Sequence, residues 1–146
     1  MALISDWFEK IDSDEAARSQ AKQGSYGGLA FVAMNLVGMA VIYYYSTNSS
    51  TGEALASEDV MYVGLGYAIL IPVQLFLVYR IYNGKGWLAS IVLIAWFLVE
   101  VGTKVANGTT NVGWVICYVF LTVMLVNGFR GCWYLKKNQE SVKNAS

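Results

Sequence analysis

Long apolar tracts broken by short polar turns set the pattern of this chain. Four tracts, at about 27–47, 60–79, 87–106 and 112–132, are nearly free of charge. A helix of about 20 apolar residues is long enough to cross a hydrocarbon core about 30 Å thick. The pattern therefore predicts an all-α integral membrane four-helix bundle, up-down-up-down. The third tract is the clearest: Trp87 to Val99 is without charge, and Glu100 and Lys104 follow near its far end. Asn83-Gly84-Lys85-Gly86 is a turn signal that leaves room only for a tight reversal. Asn107-Gly108-Thr109-Thr110-Asn111 is a second polar turn, and a longer polar loop runs from Asn48 to Asp59. Pro72 lies inside the second tract, where a membrane helix accommodates it when neighbours satisfy the freed carbonyl.

Ahead of the first tract the period changes. Leu3, Ile4, Trp7, Phe8 and Ile11 follow the spacing of an amphipathic helix, with Asp6, Glu9 and Lys10 on its other face. That polar face is mildly acidic, whereas helices that bind anionic lipid usually carry a basic one. It is expected to lie in the membrane interface or to dock on the bundle or a partner. Asp12 and Ser13, with Glu15 close behind, resemble a helix start, so a second helix should run through Arg18 and Lys22 towards the first span. The expected organisation is an interfacial segment at 1–26, the bundle at 27–134, and a polar, loose tail at 135–146. Ala54-Leu55-Ala56 has the look of a signal-peptidase site, but the region ahead of the first tract is long and acidic and the site lies well beyond it, which favours a retained anchor.

Composition agrees with lipid as the solvent. Of the 146 residues, 14% are charged and 56% hydrophobic, with a mean hydropathy of +0.45; a soluble domain has about a quarter of its residues charged. The net charge is zero, which gives no reason to expect a nucleic-acid partner. The basic residues are distributed very unevenly. Lys10, Arg18, Lys22, Arg80, Lys85, Arg130, Lys136, Lys137 and Lys143 fall on the side of the two termini, and Lys104 alone falls on the other. The positive-inside rule then places both termini in the cytoplasm. Tyr79, Tyr82, Trp87, Trp133 and Tyr134 mark the inner interface, and Tyr43 to Tyr45, Tyr62 and Trp114 the outer one. Asn48-Ser49-Ser50 and Asn107-Gly108-Thr109 match a glycosylation pattern too common by chance to carry weight.

Glu100 is the sharpest chemical candidate. It stands about 20 Å along the core from Trp87, where a charge costs about 2.5–3.5 kcal/mol on insertion scales. One reading makes it a proton- or cation-binding carboxylate. The preferred one pairs it with Lys104, one turn on, because proton coupling needs further ionisable groups and no second one lies at that depth. Asn35 and Gln74 are expected to meet across helices, and Asn127 to serve packing or capping. Arg80 and Arg130, at inner span ends, fit snorkelling to lipid phosphates or docking of a partner, as Trp7 and Phe8 do at the interface. Gly24 with Gly28, Gly64 with Ala68, and Gly128 with Gly131 stand at spacings that let helices approach.

The chain has no histidine, which removes the commonest general base and metal ligand. No nucleophile–base pair, metal cluster or phosphate-cradling loop stands out, so neither catalytic residues nor a cofactor is expected. Cys117 and Cys132, on one helix, would lie about 22 Å apart, too far for a disulfide. Cys132 near a membrane edge is better read as an inert thiol than as an acylation site.

Val126-Asn127-Gly128-Phe129-Arg130-Gly131-Cys132-Trp133-Tyr134, with the hairpin from Arg80 onward, resembles the closing part of small, uncharacterised four-span membrane proteins of bacteria. The resemblance implies an inner-membrane setting and carries over no functional residue. The expected role is a non-enzymatic accessory or interaction subunit, bound to lipid and to other membrane subunits or itself. The alternative is an oligomeric transporter or pore that uses Glu100.

Overall fold

A computed structural model describes residues 10–48, 57–108 and 112–144. They form four helices, α1 (Asp14–Asn48), α2 (Ser57–Tyr82), α3 (Trp87–Ala106) and α4 (Val112–Asn144), with no strand among the described residues. All four are long and apolar enough to cross a membrane. The amphipathic segment with Trp7 and Phe8 lies outside the described residues.

Each boundary has a local cause. Ser13 caps α1, its hydroxyl accepting from the Ala16 amide at 3.1 Å, and Asp14 and Glu15 add the acidic first turn that a helix N-terminus favours. From there α1 runs unbroken through residues 26 and 27. Helix α2 passes through Pro72 and ends at the predicted reversal. Gly84 takes φ +68°, its amide donates to Ile81 O at 2.8 Å and the Lys85 amide to Arg80 O at 3.2 Å, a Schellman closure. Helix α3 begins immediately afterwards at Trp87.

The tail departs from expectation. Residues 136–144, expected to be loose, continue α4 as helix to Asn144. The stretch contains neither glycine nor proline, Lys136 and Glu140 pair one turn apart at 3.5 Å, and Asn138 donates to Asp14 of α1 at 2.9 Å. Tertiary contact holds a sequence that polarity alone reads as frayed.

Helix α1 packs most extensively against α4, then α2, while α3 packs on α4 and α2. Along α1 the contacts Asp14·Asn138, Gly24·Gly128 and Gly27·Met124 descend α4, Gly28·Val78 and Asn35·Gln74 descend α2, and Gly28·Leu93 and Phe31·Phe97 ascend α3. Their shared core holds Phe31, Phe97 and Tyr118, with ring centroids 5.2 Å and 6.0 Å apart, over Leu93, Ile81 and Leu125. At most 33% of any span's most apolar window is buried by the rest of the bundle. Ile69, Phe76, Val99 and Ile116 instead point outward. A soluble domain of this size would bury most such side chains; lipid is the solvent that suits them.

Candidate functional site

Three helices bring their polar residues to one place. Glu100 on α3 accepts from Lys104 Nζ at 2.6 Å, one turn along the same helix, with side chains 22% and 39% exposed respectively. Asn35 of α1 and Gln74 of α2 are buried beside it, Gln74 at 1% exposure. The Asn35 amide has two placements. In one, its nitrogen reaches Gln74 Oε1 at 3.4 Å and its oxygen faces the Glu100 carboxylate, acceptor against acceptor. In the other, its nitrogen donates to both Glu100 oxygens at 2.9 and 3.0 Å and its oxygen accepts from Gln74 Nε2 at 3.1 Å. The second leaves no acceptor facing an acceptor and is the arrangement the chemistry selects.

The result is a chain of charge and dipole, Lys104–Glu100–Asn35–Gln74, that crosses α3, α1 and α2. Lys104 offsets the charge of the carboxylate and the Asn35 amide donates hydrogen bonds to it, which is what a charge in an apolar span requires. Asn35 and Gln74, polar residues of different spans, do meet, and Asn35, held by Gln74, serves Glu100. A cleft of about 240 Å³ opens on the cluster, with Tyr67, Trp96 and Thr103 in its wall. Chemically the site offers one balanced ion pair and two amides to whatever enters. No group of three or more histidine, cysteine, aspartate or glutamate residues suited to a metal occurs among the described residues.

A second polar set stands at the basic end. Asn127, buried on α4, donates to Gln23 of α1 at 3.1 Å and accepts from Arg130 Nη1 at 3.3 Å. Next to this bond, Gly24 lies against Gly128; a Cβ built on Gly128 would stand 2.6 Å from Gly24 Cα. Gly131 faces the backbone of Ala17 and Ala21, and Gly28 faces Val78 and Leu93. By contrast a Cβ on Gly64 would meet nothing within 4 Å and Ala68 is exposed, so that pair marks no helix contact. Cys132 is buried with its thiol 3.6 Å from Ile81 O, and Cys117 is exposed. Lys136 sits over Trp87 and Trp133, 4.1 and 5.2 Å from their ring centroids, tying the end of α4 to the start of α3.

Of the residues singled out in the sequence, Asn35, Gln74, Glu100 and Lys104 form one cluster, Asn127 and Arg130 another, and exposed Arg80 belongs to neither. Gln23, Tyr67 and Trp96 were not anticipated. Gln23 carried a usable signal, since Gln23-Gly24 and Asn127-Gly128 repeat the same pairing of an amide with a glycine. Tyr67 and Trp96 carried none, because apolar tracts are full of aromatics. Comparison with protein-family models, with curated proteins and with solved structures gives no match.

Proposed function

We propose that this chain is a non-enzymatic accessory or interaction subunit of a membrane complex or homo-oligomer. It forms an up-down-up-down bundle in a bacterial inner membrane with both termini cytoplasmic. The ordered contacts along α1 support the topology, and the basic residues gathered at the end shared by α1's start and α4's finish support the orientation. One observation carries the role. The intramembrane polar groups satisfy one another, while α1 and α4 extend together at the basic end as a paired, charged surface. At 35 and 33 residues, these helices are about 50 Å long, against a core of about 30 Å. The excess forms a rigid platform fit for docking.

The cleft that reaches Glu100 favours a second reading, a small oligomeric transporter or pore for protons, cations or small solutes. One pair of variants separates the two. Reversing charge on the platform, Arg18→Glu with Lys137→Glu, should release a protein that co-purifies in mild detergent or lower the mass of the oligomer, and Glu100→Gln should leave both unchanged. Loss of a pH-dependent flux in Glu100→Gln proteoliposomes, with association insensitive to the platform variant, would establish the transporter instead.

A further inference from the structure

A groove between the end of α2 and the start of α3, about 200 Å³ in volume, has an apolar wall and a cationic mouth. Phe76, Leu88 and Val92 line it together with Trp87, and Arg80 and Lys85 are its charged lining residues. No carboxylate among the described residues lines it. Both cations are exposed, and neither side chain is in an ion pair or hydrogen bond among the described residues. The backbone brings them together: the Lys85 amide donates to Arg80 O at 3.2 Å, and a Cβ on Gly86 would stand 2.6 Å from the carbonyl carbon of Arg80, so this close turn has room only for glycine there. The same mouth contains the N-terminus of α3, which has no side-chain cap and no acidic residue in its first turn. A helix start of this kind adds positive potential to that of the two cations.

We propose that this groove is a binding site for one anionic phospholipid. Its phosphodiester sits between Arg80, Lys85 and the first turn of α3, and an acyl chain lies along Phe76, Leu88 and Val92. Charge complementarity selects the occupant. A zwitterionic lipid would bring its own cation to a mouth that already holds two and has no carboxylate to receive a third. Snorkelling alone would let each cation reach any phosphate in the leaflet; the turn instead holds both beside one apolar channel. Basic pockets between helices at a membrane's cytoplasmic face are the general setting for such headgroups.

The test is native mass spectrometry of the full chain from mild detergent, titrated with phosphatidylglycerol or with phosphatidylcholine of the same chains. The wild type should retain one phosphatidylglycerol in preference to phosphatidylcholine. Arg80→Gln and Lys85→Gln should each weaken that retention about fivefold, the factor for about 1 kcal/mol per charge near a membrane surface. The double variant should lose the preference, whereas Lys137→Gln, exposed at the same end but outside the groove, should keep it. Lys85→Gln changes only an exposed turn side chain and decides the matter if the Arg80 variant does not fold. Equal retention of the two lipids by the wild type, or an equal loss in Lys137→Gln, would overturn the proposal. So would a double variant that keeps its phosphatidylglycerol but loses an acidic partner protein.

Discussion

Glu100 owes its place in an apolar helix to three other side chains. Lys104 supplies the opposite charge from the same helix, and the Asn35 amide, itself held by Gln74, supplies hydrogen bonds from another. Interhelical hydrogen bonds in membranes contribute about 0.6 kcal/mol on average and reach about 1.7. The Asn35–Gln74–Glu100 contacts should lie towards the upper figure, because each partner is left unsatisfied when another is removed. Asn35→Leu and Gln74→Leu should therefore each cost about 1–2 kcal/mol in reversible unfolding in mixed micelles. The double variant should cost less than the two single losses added together, by about 0.6–1.7 kcal/mol. Strict additivity would mean that the amides do not act on one another. Every member of this cluster was visible in the sequence as a polar residue in an apolar tract. That all of them share one place was not, because the rotation of each helix about its axis is set by packing on its neighbours.

The helices themselves were the most legible feature, since length and apolarity define them and the Asn83–Gly86 reversal fixes where α2 hands over to α3. Less legible was how far α1 and α4 run past the apolar stretches. Residues 136–144 look polar enough to fray, yet they stay helical beside the start of α1, where Asn138 bonds Asp14 and Ser13 caps α1, and beside α3, where Lys136 is set over Trp87. The closest approach of α1 to α4 is glycine on glycine. A methyl group at Gly24 or Gly128 meets backbone that has no flexible side chain to yield. Gly24→Ala should thus cost at least about 2 kcal/mol, within the range for overpacking, with loss of the helical signal of the extensions before that of the spans. Gly64→Ala, which meets nothing within 4 Å, should be neutral or slightly stabilising. If both variants behave alike, the α1–α4 contact does not depend on close backbone approach.

On the scale of the whole molecule, the bundle differs from a soluble domain in its outer surface rather than in its core. Two buried polar sets, one where α1, α2 and α3 converge and one between α1 and α4, interrupt an apolar core, and the outer surface is aliphatic and aromatic as well. Because lipid tails are as apolar as the core, packing, interhelical hydrogen bonds and the close approaches at Gly24, Gly28, Gly128 and Gly131 hold the bundle together rather than the hydrophobic effect. The proposed orientation rests on the nine basic residues on the side of the termini against Lys104 on the other, and the proposed docking platform and lipid groove rest on it in turn. The most direct test is labelling of single cysteines in sealed cells, on a background with Cys117 and Cys132 replaced by serine. A membrane-impermeant maleimide should label Asn107→Cys in intact cells, and Lys85→Cys only after the membrane is opened. Labelling of Lys85→Cys from outside, with Asn107→Cys protected, would reverse the orientation; equal protection of both sites in intact cells would show that the turn after α3 does not reach the outer face.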